Sequence, residues 1–588
     1  MKRFLIFAVL ALAAICSCNT KQEQDSPAVS LTLGVKSFSF TSAGGTGDLS
    51  VKSNASGVTA ASDASWCKVK SVPSTSETVF KFQIVADANV SNDDRSATVS
   101  VKCKDVTETV DIFQLAADGI VAEPTDVSIG AEGGTFTVKL SANGNYEIKV
   151  QGGWLEELST RASMSTSEHS FIVRSNPSSV AREGRISFSF GDLTATVKVS
   201  QAGSAVKPIT ASAVDIAAQM YPGWNLGNTM EGGSSDSNLY TNEVGLKGET
   251  AWQGTLTSQK LIDYIRSLGF RSIRIPCDWM SGHIVNAETY EIDPAWMDRV
   301  QEIVDYCISD GIYVILNDHH DGGWVQDKRN FKGVSESDVE LNCKRMKAIW
   351  SQIAGRFRDY DEHLLFAGLN EPDISGDQKE ELVLEQTAIL VRYEKAFIEA
   401  VRATGGNNAN RILVVQAPST SVDLAAKYFD IDQFHEKGRL MLEVHYYSPY
   451  QFCLMEKDES WGKVFYYWGK DNHKPGSENN SSWGEEDYMA DQLTSIRKFY
   501  DNGYPVVLGE YGAQHRFNGD ALHDASTKQF YRDFNRLCID NGAVPYAWDT
   551  NYTGSSSMTV VNRTLCEIWL DCLYDGIVEG VASAHWPD

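Results

Sequence analysis

The alternation of apolar and polar residues divides the chain into two parts with different periodicities. Between about residues 30 and 203, apolar positions recur every second residue, as in the stretch 96–101 with the sequence SATVSV. Val, Thr, Ser and Phe dominate these short runs, and Gly or Asn/Asp turns separate them, which is typical of β-strands. Several short strands within about 85–90 residues predict a β-sandwich.

This first part contains the same module twice. The sequence GGT at 44–46 recurs at 133–135, and the tryptophan at 66 recurs at 154. The glutamine at 114 recurs at 201. Because these spacings are nearly constant, one module has been duplicated. We therefore expect two consecutive all-β sandwiches, at residues 30–117 and 118–203.

From about residue 204 onward, eight apolar runs alternate with amphipathic helical stretches such as 295–309 and 381–403. This pattern predicts a (β/α)8 barrel over residues 204–588. An insertion at about 449–488 is rich in Trp, Tyr, Gly and Asn, and its tryptophans either bind substrate or pack the loop. The eight predicted strands are 223–226, 272–275, 313–316, 365–369, 412–415, 441–444, 505–508 and 544–547.

The first residues have the pattern of an export signal. Two basic residues precede an apolar run at 4–15, which is too short to span a bilayer but suits a signal peptide. Cys18 follows a small serine, as at the cleavage site of bacterial lipoproteins. We expect residues 1–18 to form a lipoprotein signal region with lipidation at Cys18, and residues 19–29 to form a tether. An ordinary cleaved signal peptide is the alternative.

The net charge of the chain limits the class of molecule that it is expected to bind. The 588 residues contain 52 Lys and Arg against 78 Asp and Glu, a net charge of −26. This balance argues against nucleic acid, since binding there depends on Lys and Arg neutralising phosphates. It also disfavours an anionic polysaccharide, although a charge that merely keeps an exported protein soluble would look the same.

The 11 cysteines show no metal-ligand spacing. Cys67 and Cys103 could form a disulfide within the first module, but the second module has no cysteines at the equivalent positions. We expect mostly buried free thiols.

Polar and aromatic residues follow directly after the predicted barrel strands, where the active sites of such barrels lie. Two of them are glutamates, one after the fourth strand and one after the seventh. Glycoside hydrolysis requires two carboxyl groups, and a short distance between them gives retention of configuration. The candidates at the strand ends are Arg274, His319, His320, Asn370, Glu371, His445, Tyr447, Glu510 and Trp548.

Both copies of the repeat resemble the BACON module, an immunoglobulin-like domain of exported bacterial carbohydrate-active proteins. The shared features are the GGT opening, the central tryptophan (Trp66 or Trp154) and the closing Gln-x-Ala, from which the first copy departs by its sequence around Gln114. The resemblance implies either glycan binding or a spacer role, and we favour the spacer. Each tryptophan is then expected in the core and not as an exposed sugar platform.

Residues 210–588 resemble glycoside hydrolase family 5, and most of all its subfamily 4. Six motifs occur in the order of that family, which makes the resemblance specific although each motif is short. They are GWNLGNT at 223–229, RIP at 274–276, NDHHD at 317–321, LNEP at 369–372, HYY at 445–447 and LGEYG at 508–512.

The resemblance implies Glu371 as the acid/base and Glu510 as the nucleophile of a retaining mechanism. The pKa of Glu371 is then expected to be raised, because the acid must carry a proton at working pH. Arg274 would keep Glu510 ionised, and Tyr447 would contact it. The remaining residues would bind substrate or orient the acid: Asn370 at the sugar 2-hydroxyl, His445 beside the acid/base, His319 or His320 at sugar hydroxyls, Trp548 under the sugar at the cleavage site, and Asn228, with Trp252 and Trp324, on the glycone side.

The sequence thus predicts a retaining endo-β-1,4-glucanase that acts on xyloglucan, mixed-linkage β-glucan or cellulose-type polymer. An endo-mannanase or xylanase of the same mechanism, or a non-catalytic surface glycan-binding lipoprotein, are the alternatives. No nucleotide or flavin motif is evident, so neither an organic cofactor nor a metal is expected. We expect a monomer on the bacterial outer membrane, exposed at the cell surface, held only by its N-terminal lipid.

Overall fold

The structure, a computed structural model, describes residues 28–91, 93–116, 119–142, 145–162, 166–376, 378–516 and 519–587. The predicted signal region, with Cys18, lies outside these residues. Among the helices within them, none has both the length and the apolar character needed to cross a membrane.

Each copy of the repeat folds into two four-stranded sheets, and the strands of both copies follow the same order. In the first copy one sheet is formed, from edge to edge, by Leu31–Leu33, Gly45–Ser53, Val79–Ala86 and Cys67–Val72, and the other by Ser37–Phe40, Val106–Gln114, Arg95–Cys103 and Thr59–Ser62. In the second copy the sheets are formed by Ile120–Glu123, Gly134–Ala142, Thr166–Val173 and Leu155–Ala162, and by Asp126–Ile129, Leu193–Gln201, Arg182–Phe190 and Glu147–Gln151.

The period-two pattern explains these sandwiches. Alternate residues of each strand point to the same face, so one apolar set is buried between the two sheets. Val51 and Val99 are fully buried in the first sandwich, as are Val138 and Ile186 in the second. The prediction of two β-sandwiches is confirmed.

The tryptophans of the repeat lie at the edge of each core and not inside it. Trp66 and Trp154 are half-buried, and the guanidinium of an arginine lies over each ring, at 4.3 Å for Arg95 and 4.6 Å for Arg182. Nε of each arginine also donates a 2.9 Å hydrogen bond to the repeated glutamine of its own module, which is Gln114 or Gln201. The repeated Trp and Gln therefore belong to one structural unit, completed by an arginine.

The remaining chain closes into the predicted parallel barrel of eight strands. The first strand pairs with the eighth, where Trp224 lies beside Ala547, and this pairing completes the ring. The strands are Gly223–Asn225, Ser272–Ile275, Tyr313–Asn317, Leu364–Ala367, Leu413–Ser421, Leu440–Tyr446, Val506–Tyr511 and Ala543–Ala547.

Helices cover the outside of the barrel, and amphipathic sequence places their apolar faces against the strands. Short two-stranded antiparallel sheets are formed by Ile284–Asn286 with Glu291–Ile292, His515–Arg516 with Ser556–Ser557, and Val561–Asn562 with Glu567–Ile568. The α-helices are Ala213–Ala217, Gly248–Ala251, Gln259–Ser267, Pro294–Ser309, Glu336–Arg356, Glu380–Ala403, Val422–Tyr428, Tyr450–Cys453, Glu486–Ser495, Arg497–Asp501, Ala521–Asp540 and Asp571–Ser583.

The second sandwich packs on the flank of the barrel through charged contacts. Arg174 donates to Asp263 at 2.6 Å, and Arg182 lies 3.4 Å from Asp305. Asp305 is near the carboxyl end of the helix Pro294–Ser309, which runs back beside the barrel strands. The contact therefore lies toward the amino ends of the strands, opposite the end where barrel enzymes carry their active sites.

All nine cysteines in the described part of the chain are free thiols. Cys67 and Cys103 are both buried, and they lie on strands of opposite sheets of the first sandwich.

Candidate active site

The two glutamates singled out by the sequence come together at the carboxyl end of the barrel. Glu371 follows the fourth strand, and Glu510 lies near the end of the seventh. One carboxylate oxygen of each lies within 4.8 Å of the other and of a ring nitrogen of His445. The Glu371 side chain is 48% exposed, whereas that of Glu510 is 8% exposed. One carboxyl group is thus open to the cleft, and the other lies at its floor.

Arg274 is the fully buried cation beneath this pair. Its Nη1 donates to Glu510 Oε1 at 3.0 Å, and its Nη2 donates to Asn370 Oδ1 at 2.6 Å. Its Nε lies 2.8 Å from Glu443 Oε1, in a second ion pair. One planar guanidinium therefore orients the nucleophile candidate and Asn370 together, a geometry that suits Arg and not Lys.

His445 and Tyr447 contact the two glutamates from the sixth strand and its end. His445 Nδ1 lies 2.6 Å from Glu371 Oε1, and the Tyr447 hydroxyl donates to Glu510 Oε2 at 3.1 Å. The structure therefore places both side chains where the sequence predicted them.

The charges of these groups distribute protons in a way that the sequence did not predict. Burial by itself would lower the pKa of His445, but the charge of Glu510 and hydrogen bonds to Glu371 and Glu443 outweigh it and raise the pKa to about 9. Burial likewise acts to raise the pKa of Glu371, yet the hydrogen bond and charge of His445 bring it below its ordinary value. The expected rise of the Glu371 pKa is therefore wrong for the substrate-free protein, because His445 carries the proton.

Glu510 behaves in the opposite way. Burial raises the pKa of its carboxyl above the ordinary value, and the charges of His445 and Arg274 offset this only in part. Arg274 thus opposes protonation of Glu510, as expected, without overcoming the effect of burial.

The cleft beside these groups has a volume of about 850 Å³ and is lined by Asn228, Trp252, Trp548 and Tyr552, among others. Trp252 and Tyr552 are 51% and 58% exposed. His319 stacks parallel to Trp548, with 5.9 Å between the ring centroids. Flat aromatic faces along an open cleft suit the C–H faces of sugar rings.

The two adjacent histidines differ in burial, and so do Trp252 and Trp324. His319 is buried, and burial together with the charge of Arg274 holds its pKa well below the ordinary value, so it is neutral. His320 is exposed. Trp324 is 3% exposed and donates to Asp321 at 3.0 Å, so it packs beneath the loop, whereas Trp252 faces the cleft.

The tryptophans of the long insertion also divide into exposed and buried residues. Trp461 is 62% exposed and Trp483 is 42% exposed, while Trp468 is fully buried and donates to the Gly484 carbonyl at 2.9 Å. Only the first two remain candidates for substrate contact.

Several polar residues that support the site were not identified from the sequence. Glu443 is buried two residues before His445, on the same face of its strand. An ionisable residue within an apolar strand was the available signal. The other supporting residues are Asn225, which accepts from Arg274, Gln326, which accepts from the Asn370 and Glu371 amides, and Gln416, which donates to Glu443.

Glu371, His445 and Glu510 are close enough together to consider a shared cation. However, the Arg274 guanidinium already lies 3.0 Å from Glu510, and His445 donates toward Glu371. A metal ion would be repelled by both cations, so the arrangement fits hydrogen-bonded carboxyl groups better.

Comparison with protein-family models identifies both parts of the chain. Residues 237–554 match the model of cellulase, glycosyl hydrolase family 5. Residues 56–115 and 127–202 match the BACON model, described as a putative N-terminal binding domain.

Curated relatives agree with this assignment. A xyloglucan-specific endo-β-1,4-glucanase of Bacteroides ovatus is 35% identical over 354 residues, which are 58% of this chain and 66% of that protein. Endoglucanase B of Ruminococcus albus is 39% identical over 331 residues, 55% of this chain and 70% of that protein. The chain thus spans about two thirds of the length of these relatives.

Solved structures extend the comparison to the fold. A family 5 xyloglucan-specific β-1,4-glucanase from a ruminal metagenomic library, in complex with XXLG, is 44% identical, with a TM-score of 0.59, and the match covers 64% of this chain and 97% of that one. A Bacteroides ovatus family 5 xyloglucanase, in complex with a XXXG heptasaccharide, is 29% identical, with a TM-score of 0.53, covering 79% and 100%. The chain therefore belongs to the cellulases of glycosyl hydrolase family 5, and it is a glycoside hydrolase of β-1,4-glucan that carries two BACON modules.

Proposed function

We propose that the protein is a retaining endo-xyloglucanase, with Glu510 as nucleophile and Glu371 as acid/base. The approach of their carboxylate oxygens to within 4.8 Å carries this proposal, because retaining enzymes have carboxyl groups about 5 Å apart. A wider gap would be needed to admit the water of an inverting mechanism.

In the first step Glu510 attacks the anomeric carbon while Glu371 transfers a proton to the leaving oxygen, which leaves a glycosyl ester on Glu510. In the second step Glu371 removes a proton from water, and the hydroxyl adds to the anomeric carbon as the bond to Glu510 breaks. Asn370 is held by Arg274 beside the nucleophile, where its amide nitrogen can donate to the 2-hydroxyl. That hydrogen bond strengthens in the transition state.

Xyloglucan is favoured over the other β-glucans for two reasons. The cleft of about 850 Å³ is lined by the exposed residues Trp252 and Tyr552, whose rings offer apolar faces to sugar rings. Two similar structures are described as xyloglucan-cleaving enzymes with bound XXLG or XXXG oligosaccharides. Mixed-linkage glucan and cellulose-type polymers are the next candidates, followed by mannan and xylan.

The test is product analysis with purified protein on tamarind xyloglucan, barley β-glucan, carboxymethylcellulose, mannan and xylan. We expect oligosaccharides mainly from xyloglucan, with the β-anomer appearing first by NMR. Glu510→Ala and Glu371→Gln should abolish them, while Glu394→Gln, a matched change of a fully buried carboxyl on the helix Glu380–Ala403, should not. Binding without cleavage would favour the glycan-binding alternative, and first release of the α-anomer would refute retention.

We also propose that the second module positions the enzyme and does not bind glycan through Trp154. The Arg182 guanidinium covers the ring of Trp154, and the same arginine faces Asp305 of the barrel. A sugar could not stack on that face without displacing the arginine.

We further propose that the protein is an outer-membrane lipoprotein anchored through Cys18. The support is the signal-like sequence alone. Metabolic labelling with a palmitate analogue should mark the protein and fail for Cys18→Ser, and protease added to intact cells should remove it from the surface. Labelling that survives the substitution would contradict the anchor.

A further inference from the structure

A third carboxylate, Glu443, is built into the floor of the site. It is fully buried, 2.8 Å from Arg274 Nε, and it accepts a 2.6 Å hydrogen bond from Gln416 Nε2. On the neighbouring strand Gly509 leaves room for it, since a Cβ there would lie only 1.9 Å from Glu443 Oε1. A charge buried this deeply costs folding free energy unless it is paired, so the presence of Glu443 at this position needs an explanation.

Glu443 connects the two halves of the catalytic pair. Through Arg274 it is linked to Glu510, 3.0 Å beyond the guanidinium. Through His445 it is linked to Glu371, because Nε2 lies 3.3 Å from Glu443 Oε1 and Nδ1 lies 2.6 Å from Glu371 Oε1. Both ring nitrogens of His445 therefore face carboxylates, which requires both to carry protons if each contact is a hydrogen bond.

The ionisable groups around His445 come from five strands of the barrel or their ends. Three are carboxylates: Glu443 on its own strand, Glu371 after the fourth, and Glu510 on the seventh, 3.8 Å from Nδ1. Opposing them is Arg274 on the second strand, whereas His319, after the third strand, is neutral. The balance favours the imidazolium, in agreement with the rise of the His445 pKa to about 9.

We propose that Glu443 is a positioning residue that keeps His445 protonated, so that His445 supplies Glu371 with the proton for the leaving group. This inference rests on the proposed function. As the sugar oxygen leaves, the proton on His445 Nδ1 passes to Glu371 and from Glu371 to that oxygen, while the electron pair of the broken C–O bond stays on the departing oxygen. This leaves Glu371 as a carboxylate and His445 neutral. In the second step, the proton that Glu371 takes from water returns to His445. The site ends each cycle with the protons that it held at the start.

The experiment is the pH dependence of kcat/KM for Glu443→Gln on xyloglucan, in the full chain. Activity should fall at high pH as His445 loses its proton. Removing a carboxylate at this distance lowers the pKa of a histidine by about one unit or more. We therefore expect the basic limb of the profile to move to lower pH by about one unit or more. The matched control is Glu436→Gln, which also removes the carboxylate of an ion pair, that with Arg402 at 3.0 Å, but lies before the amino end of the sixth strand and not in contact with His445; it should leave this limb in place.

A second measurement keeps the test decisive if Glu443→Gln folds poorly. In the unaltered protein, the ¹³C-labelled ring of His445, assigned through His445→Asn, should be protonated at pH 7 and titrate near 9. A neutral ring at pH 7, or a basic limb that Glu443→Gln reduces in height but does not shift, would overturn the proposal. Either result leaves the two-glutamate function intact, which fails only if Glu371→Gln and Glu510→Ala stay active.

Discussion

Replacing Arg274 by Met tests how far one buried cation supports both catalysis and stability. Arg274 and Glu443 are fully buried, the Glu510 side chain is 8% exposed, and the two ion pairs measure 2.8 and 3.0 Å. Removing one partner of such a buried pair costs about 3–5 kcal/mol, because it leaves unpaired charge in the interior. With an unfolding entropy of about 2.1 cal/mol/K per residue over a barrel of roughly 385 residues, the Tm should fall by about 4–6 °C.

The same change should alter the pH dependence in a predictable direction. Glu510 attacks as the carboxylate, so activity rises as the pH passes its pKa. Arg274 lowers that pKa, and without it the acid limb of kcat/KM should move to higher pH by about 1–3 units. Arg274→Lys keeps a charge but not the bidentate geometry, so its acid limb should lie between those of the wild type and Arg274→Met. An unshifted acid limb in the folded Met variant would refute the role assigned to this cation.

Two further predictions concern other parts of the molecule. Arg174→Glu combined with Arg182→Glu should release the second sandwich from the barrel, so that the radius of gyration measured by small-angle scattering increases while kcat is not lowered. Arg95→Glu, the equivalent change in the first sandwich, should leave the radius of gyration unchanged. An unchanged radius of gyration in the double variant would show that these ion pairs do not hold the contact. In the long insertion, Trp468→Ala should destabilise the protein by about 3–5 kcal/mol because the ring is fully buried. Trp461→Ala should instead raise KM for xyloglucan with little change in Tm, and equal Tm losses for the two variants would contradict this assignment.

Most of the site was predictable because the barrel places chemistry at a known position. Each apolar strand ends in polar residues at the carboxyl end, so Glu371, Glu510 and Tyr447 could be named from their positions after apolar runs. Glu443 could not be identified as a site residue in this way, since the sequence does not show which groups a lone carboxyl inside a strand will contact. Its partners Arg274 and His445 become neighbours only when the ring of strands closes.

The proton distribution is a second property that the sequence did not reveal. A glutamate in the fourth-strand motif predicts an acid, but its pKa depends on distances of a few ångströms to groups on other strands. His445 at 2.6 Å lowers the pKa of Glu371, and burial raises that of Glu510.

The sequence by itself determined the order of the domains, the eight barrel strands and the identity of the two glutamates, because periodicity and strand-end residues are local properties of the chain. Only the tertiary structure decided which charges are paired, which tryptophans face the cleft and which face of the second sandwich is covered. Those features depend on residues far apart in the sequence, such as Arg182 and Asp305, or Arg274 and Glu510. Electrostatic energy and burial are set by distance in space, which the order of residues does not contain.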